Sequence, residues 1–133
     1  VSTPLPFPDA EQVVRDYLAD TLGVRVLNEL PADLVGALPV IRVIRIQGGF
    51  EGRAVDDHAN VDVDVFAATR DAMWQLTYAM RAQMRTLPGR SVRGTTVDDV
   101  EVVNGSGQIP YANPAVRRSI TTFRLTCRAQ APA

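Results

Sequence analysis

The sequence predicts an α+β fold, a small β-sheet with two main helices packed on it, and three stretches carry that expectation. In Val61, Asp62, Val63, Asp64, Val65 and Phe66 the apolar residues fall on every second position. An extended chain then sends the valines to a core face and the acids to the opposite one. Directly behind this strand, Met73, Leu76, Thr77, Met80, Met84 and Leu87 recur at helical spacing, between Thr69 as a cap and Pro88 with Gly89 as a stop. Such a helix is ~28 Å long at the usual rise, enough to cross a small sheet. Nearer the start, Val13, Val14, Tyr17, Leu18 and Leu22 share one side of a helix capped by Asp9 and ended by Gly23.

The remaining elements follow in chain order. Residues 1–8 carry Pro4, Pro6 and Pro8, which rule out a helix or a central strand, so they read as an N-terminal arm whose Leu5 and Phe7 can dock elsewhere. Residues 9–128 read as the domain and 129–133 as a C-terminal tail of small residues and proline. After the first helix comes a short strand at 24–27, then a connection over 28–39 with one helical turn around Leu34. Residues 40–46 are nearly continuous in apolar character, which predicts a strand covered on both faces. Gly48, Gly49 and Gly52 predict a flexible or tightly turned loop around Phe50 and Glu51, with a further strand portion at 53–55. Beyond the long helix, a short piece at 91–93 leads to a strand at 97–103, which a turn at 104–107 ends. A proline-bounded loop over 109–116 precedes a last strand at 117–128. Ser119, Thr121, Phe123, Leu125 and Cys127 lie on one side of that strand, and Ile120, Thr122, Arg124, Thr126 and Arg128 on the other.

Composition narrows the chemistry. At 133 residues and 46% hydrophobic content, the chain can bury a core without disulfides or metal. A net charge of -1 gives no general attraction to nucleic acid or to an anionic membrane. All the basic residues are Arg, and without Lys there is no Walker-type phosphate loop and no Schiff-base chemistry. Cys127 is the one cysteine, so neither an intrachain disulfide nor a cysteine metal cluster can form. Nowhere do 18 apolar residues follow one another, and residues 1–8 lack a leader pattern, so the expectation is a soluble, unsecreted chain.

Two constellations invite a functional reading. Asp56, Asp57, His58, Asp62 and Asp64 could serve a divalent cation or a small metal-dependent hydrolase, since carboxylates and imidazole suit such ions. Alternating acids opposite valines are equally what a solvated strand face shows, and the reading taken is no metal, no cofactor and no catalytic residue. Cys127 sits on the apolar alternation of a strand, where a thiol packs as a small core residue. Trp74 and Tyr78 lie four apart beside the methionine stripe, a placement that suits either a partner surface or core burial.

The order of elements, with Pro8, Asp9, Ala10 and Glu11 opening the first helix and the Val61 to Ala67 alternation entering the second, resembles the tail terminator proteins of long-tailed bacteriophages. The segment Tyr111, Ala112, Asn113, Pro114, Ala115, Val116, Arg117, Arg118, followed by Thr122, Phe123, Arg124, Leu125 and Thr126, is similar to that family in actinobacterial phages. The resemblance implies a mixed, largely antiparallel sheet and a non-enzymatic virion protein of the tail–neck region, assembled in the bacterial host cytoplasm. It implies a homo-hexameric ring that stops tail-tube growth, with the tail tube protein and a head completion or connector protein as partners. DNA passes through the lumen without specific binding, and no membrane is involved. Another head–tail joining protein is the alternative. On this basis Val40, Ile44, Phe50, Trp74, Tyr78, Tyr111, Arg117 and Arg118 are expected at subunit, head or tail interfaces, and Asp62 and Asp64 at the lumen.

Overall fold

A computed structural model describes residues 9–52 and 56–128, with side chains described over 9–48 and 56–128. The expected arm, the strand portion at 53–55 and the C-terminal tail lie outside the described residues. Among the described residues nine elements follow one another: α1 (Ala10–Leu22), β1 (Arg25–Leu27), α2 (Leu34–Ala37), β2 (Val40–Gly52), β3 (Asp56–Ala67), α3 (Arg70–Met84), β4 (Ser91–Val92), β5 (Thr95–Ile109) and β6 (Arg117–Arg128). The strands form one sheet in the order β1-β2-β3-β6-β5-β4. Among the described strands only β1 and β2 run parallel and the other neighbours are antiparallel, giving an α+β fold on a mixed sheet.

Helix ends fall where local chemistry puts them. The Asp9 carboxylate accepts the Gln12 backbone N–H at 3.1 Å, and Gly23, at φ 66°, closes the far end of α1 with its N–H on the Ala19 carbonyl. Thr69 does for α3 what Asp9 does for α1, accepting from the Ala72 N–H at 3.1 Å. The turn expected around Leu34 is α2, capped by Asp33.

Both long helices lie on one face of the sheet. Val13, Val14 and Leu18 of α1 and Met73, Met80 and Met84 of α3 pack on Ile41, Val43, Val61, Val63, Val65, Phe123, Leu125 and Cys127, all fully or nearly fully buried. Thr77 enters this core because its hydroxyl is bonded twice, to the Met73 carbonyl and to the Ser119 hydroxyl, each at 2.7 Å. Among the described residues the opposite face is covered only at one end, where Leu34, Val40, Phe66 and Val116 form a second, smaller cluster flanked by Tyr111. The two-sided cover expected for residues 40–46 is therefore partial: Val40, Ile41 and Val43 are buried, while Ile44 and Ile46 are half-buried on the open face.

Two expected breaks in the chain are strands instead. The glycines at 48, 49 and 52 do not end β2, which pairs with β3 as far as Gly52 opposite Asp56 after a register shift between Ile46 and Phe50. Residues 104–107, expected as a turn, stay within β5, and the irregularity appears as shifts of register on either side of Asn104.

Candidate functional site

The open face of the sheet brings together side chains far apart in sequence. Register places Arg42 beside Asp64 and Asp64 beside Ile120; one step along, Ile44, Asp62 and Thr122 sit side by side. Asp64 Oδ2 accepts from Arg42 at 2.6 Å and from Arg118 at 2.9 Å. Both guanidiniums stand 5.6 Å from the centre of the Phe66 ring, which meets Tyr111 edge-on at 5.6 Å. Asp64 itself is 2% exposed. One carboxylate thus serves two cations, leaving this end of the face with a surplus positive charge held against an aromatic ring. Asp62 Oδ1 accepts from the Thr122 hydroxyl at 2.5 Å, and Arg124 Nε donates to Asn60 at 3.1 Å.

This arrangement revises the acidic-face expectation. Asp64 is not a solvated acid, because burial required partners and the neighbouring strands supply two arginines. Asp57 is not on that face at all: it points to the helix side, 1% exposed, gripped by both terminal nitrogens of Arg45 at 2.8 Å. Those hydrogen bonds raise the Arg45 pKa further above its ordinary value, against the opposing effect of burial. His58, on the open face, meets the Thr126 hydroxyl through Nδ1 at 3.2 Å. The five candidate ligands are thereby spread over two faces with separate partners, and among the described residues no three acidic, thiol or imidazole groups gather at a point that could hold a metal ion. Cys127, across from Asp57, has its pKa pushed up to about 12 by burial and by the Asp57 charge, so its thiol stays protonated and unreactive as a nucleophile.

The expected interface residues divide by exposure. Val40 is fully buried beneath α2, so the apolar surface of β2 on the open face is carried by Ile44 with Ile46. Phe50 pairs with His58 through the backbone, but its side chain lies outside the described residues. Tyr111 and Arg118 are half-buried at the Phe66 cluster, and Arg117 is exposed, donating to the Pro114 carbonyl at 2.9 Å. On the other side of the molecule, Trp74 and Tyr78 stack at 5.7 Å with an interplanar angle of 25°. Trp74 packs partly into the core, whereas Tyr78 is 61% exposed. Core burial thus applies in part to Trp74, and Tyr78 is left on the surface.

Sequence reasoning missed the Arg42 partner of Asp64 and the part of β5 beyond Val103, where Ile109 is exposed. The first had a signal, since Arg42 occupies the same strand parity as Val40 and Ile44. The second had none, because the turn-forming residues at 104–107 hid a continuous strand.

A family model described as "Phage tail termination protein" matches residues 6–132. Among solved structures, the chain is similar to one in the virion of a native gene transfer agent (GTA) particle, with a TM-score of 0.62 and 15% identity over 90% of this chain and 94% of that one. At that identity the likeness speaks for the fold. No curated protein matches the sequence.

Proposed function

Because the chain belongs to the phage tail termination protein family, we propose that it is a virion structural protein that caps the tail tube, ends its elongation and joins the tail to the head connector as a homo-hexameric ring. The observation that carries this reading is the family match over nearly the whole chain. The surfaces are compatible with it. A closed ring uses two different patches on each subunit, and this molecule offers an open sheet face and an exposed aromatic helix side on opposite sides of one sheet. In this reading Ile44, Phe50, Tyr111, Arg117 and Arg118 serve one set of subunit, head or tail contacts, and Trp74 with Tyr78 another. DNA passes through the lumen, where Asp62 supplies repulsion that Asp64, held by two guanidiniums, cannot. The partners are the tail tube protein and a head completion protein, met in the neck region after assembly in the host cytoplasm.

The test is to add purified protein to tail tubes polymerising in vitro and to image the products. Tubes of arrested length carrying a ring at one end support the reading. Unaltered tube growth, with binding to filled heads instead, would show a head completion protein and overturn it.

A further inference from the structure

The two long edges of the sheet are treated differently. On β2, beyond the three residues paired with β1, two outward backbone groups next to that pairing are taken by side chains. Asn28 donates to the Val43 carbonyl at 3.2 Å, and Glu11 accepts the Arg45 N–H at 2.9 Å. On β5, β4 covers only Thr95 and Thr96, and the connection after α3 takes the Val97 groups. From 99 to 109, among the described residues, no hydrogen bond reaches the outer edge. Val102, Val103 and Ile109 are 46%, 40% and 39% exposed along it. Next to this edge, on the helix side, Arg81, Met84, Arg85, Val100, Val102 and Phe123 line a small, mostly apolar groove. An unpaired edge bordered by apolar surface is a template for an added strand.

The sequence contains a segment suited to it. Pro4, Pro6 and Pro8 share one parity, and Thr3, Leu5 and Phe7 the other. In a strand the two parities direct their backbone groups to opposite edges, so Thr3, Leu5 and Phe7 can complete a ladder while every proline nitrogen faces away from it. The same alternation puts Leu5 and Phe7 side chains on one face. Residues 1–8 carry no charged side chain, so they can lie against an edge bearing Asp99 and Glu101 without like-charge repulsion.

We propose that Thr3 to Phe7 of one subunit add as a strand to the open edge of β5 in the next, with Leu5 and Phe7 over the groove at Val102. The donor is a second copy because of reach. Glu11 stands at the outer edge of β2, and the four residues back to Phe7 span at most about 13 Å. A strand added to β5 of the same chain lies about 19 Å from β2, with α3 across the direct path. The contact joins two unlike surfaces, as a ring requires, and the inference rests on the ring reading given above. The outward prolines leave a new edge that accepts no further strand on that side, so each β5 takes one arm and stops.

Full-length Leu5→Cys and Val102→Cys chains test this when mixed under mild oxidation. Neighbouring strands bring paired Cα atoms within disulfide range, and buried Cys127 does not compete. The mixture should yield an inter-chain dimer at least tenfold faster than either variant alone, and Leu5→Pro, which removes an N–H from the ladder, should abolish ring formation. Rings that persist in Leu5→Pro, without the cross-link, overturn the arm exchange and leave the ring reading standing. A bridge within one chain in the double variant overturns it as well, by showing that the arm folds back. Absence of both rings and cross-link removes the two readings together.

Discussion

Cys127 is the clearest case of a residue whose environment fixes its chemistry. It lies on the helix side of β6, opposite Asp57, with Arg45 close by, and its thiol pKa rises from 9.0 to about 12. Burial is the largest cause, and the Asp57 charge adds to it while Arg45 works against both. A thiol that ionises more easily in the unfolded chain draws protons off the unfolded state first as pH rises. Its contribution to stability is therefore fully present below about pH 9 and is lost between pH 9 and 12, at up to about 1.4 kcal/mol per pH unit. Urea unfolding of wild type and Cys127→Ala from pH 7 to 11 measures this. Cys127→Ala should be the less stable at pH 7, and the gap should narrow above pH 9. A gap that stays constant to pH 11 would mean that the thiol is not held protonated by the fold.

At the scale of elements, the difference between glycine as a breaker and glycine inside a strand decided what could be read. Gly48 has φ 99°, and a Cβ there would meet Asn60 Nδ2 at 2.5 Å. Replacement by Ala thus meets both an unfavourable backbone region and a close neighbour on β3. Gly48→Ala should cost about 2 kcal/mol and raise amide exchange over residues 46–52 and 56–60 before the rest of the sheet. Removing the neighbour with Asn60→Ala should recover only part of the loss, since the backbone strain stays; full recovery would assign the whole effect to the clash. The helices were legible because their signals are local: Asp9, Gly23 and Thr69 act within one turn, and the methionine stripe follows helical period. β6 was legible for the same reason, its alternation uninterrupted from Ser119 to Cys127. The extensions of β2 and β5 through glycine were not, because they depend on pairing with β3 and β6 at long sequence separation, which overrides local turn preference. The Arg42, Asp64 and Arg118 cluster was half legible: parity put Asp64 and Arg118 on definable faces, but only the strand order makes β3 the neighbour of both arginine-bearing strands.

The whole molecule presents unlike surfaces on its two sides, and a substitution that changes assembly without changing folding can tell which of them a ring uses. Tyr78 offers that separation. It is 61% exposed, its ring rests on Trp74, and its loss removes one stacked pair while leaving the methionine core intact. Tyr78→Ala should therefore lower the stability of the subunit by less than about 1 kcal/mol. An exposed aromatic stack at the centre of a contact, by contrast, commonly dominates binding, so the same substitution should raise the concentration needed for half-maximal ring formation by tenfold or more. Native mass measured over a concentration series reads the second quantity and thermal unfolding of the dilute subunit reads the first. If rings of Tyr78→Ala form at wild-type concentration, the aromatic side of α3 faces solvent in the assembly. The contacts then fall to the open sheet face around Ile44 and Arg117 and to the edge of β5, where charge reversal at Arg117 becomes the next discriminating change.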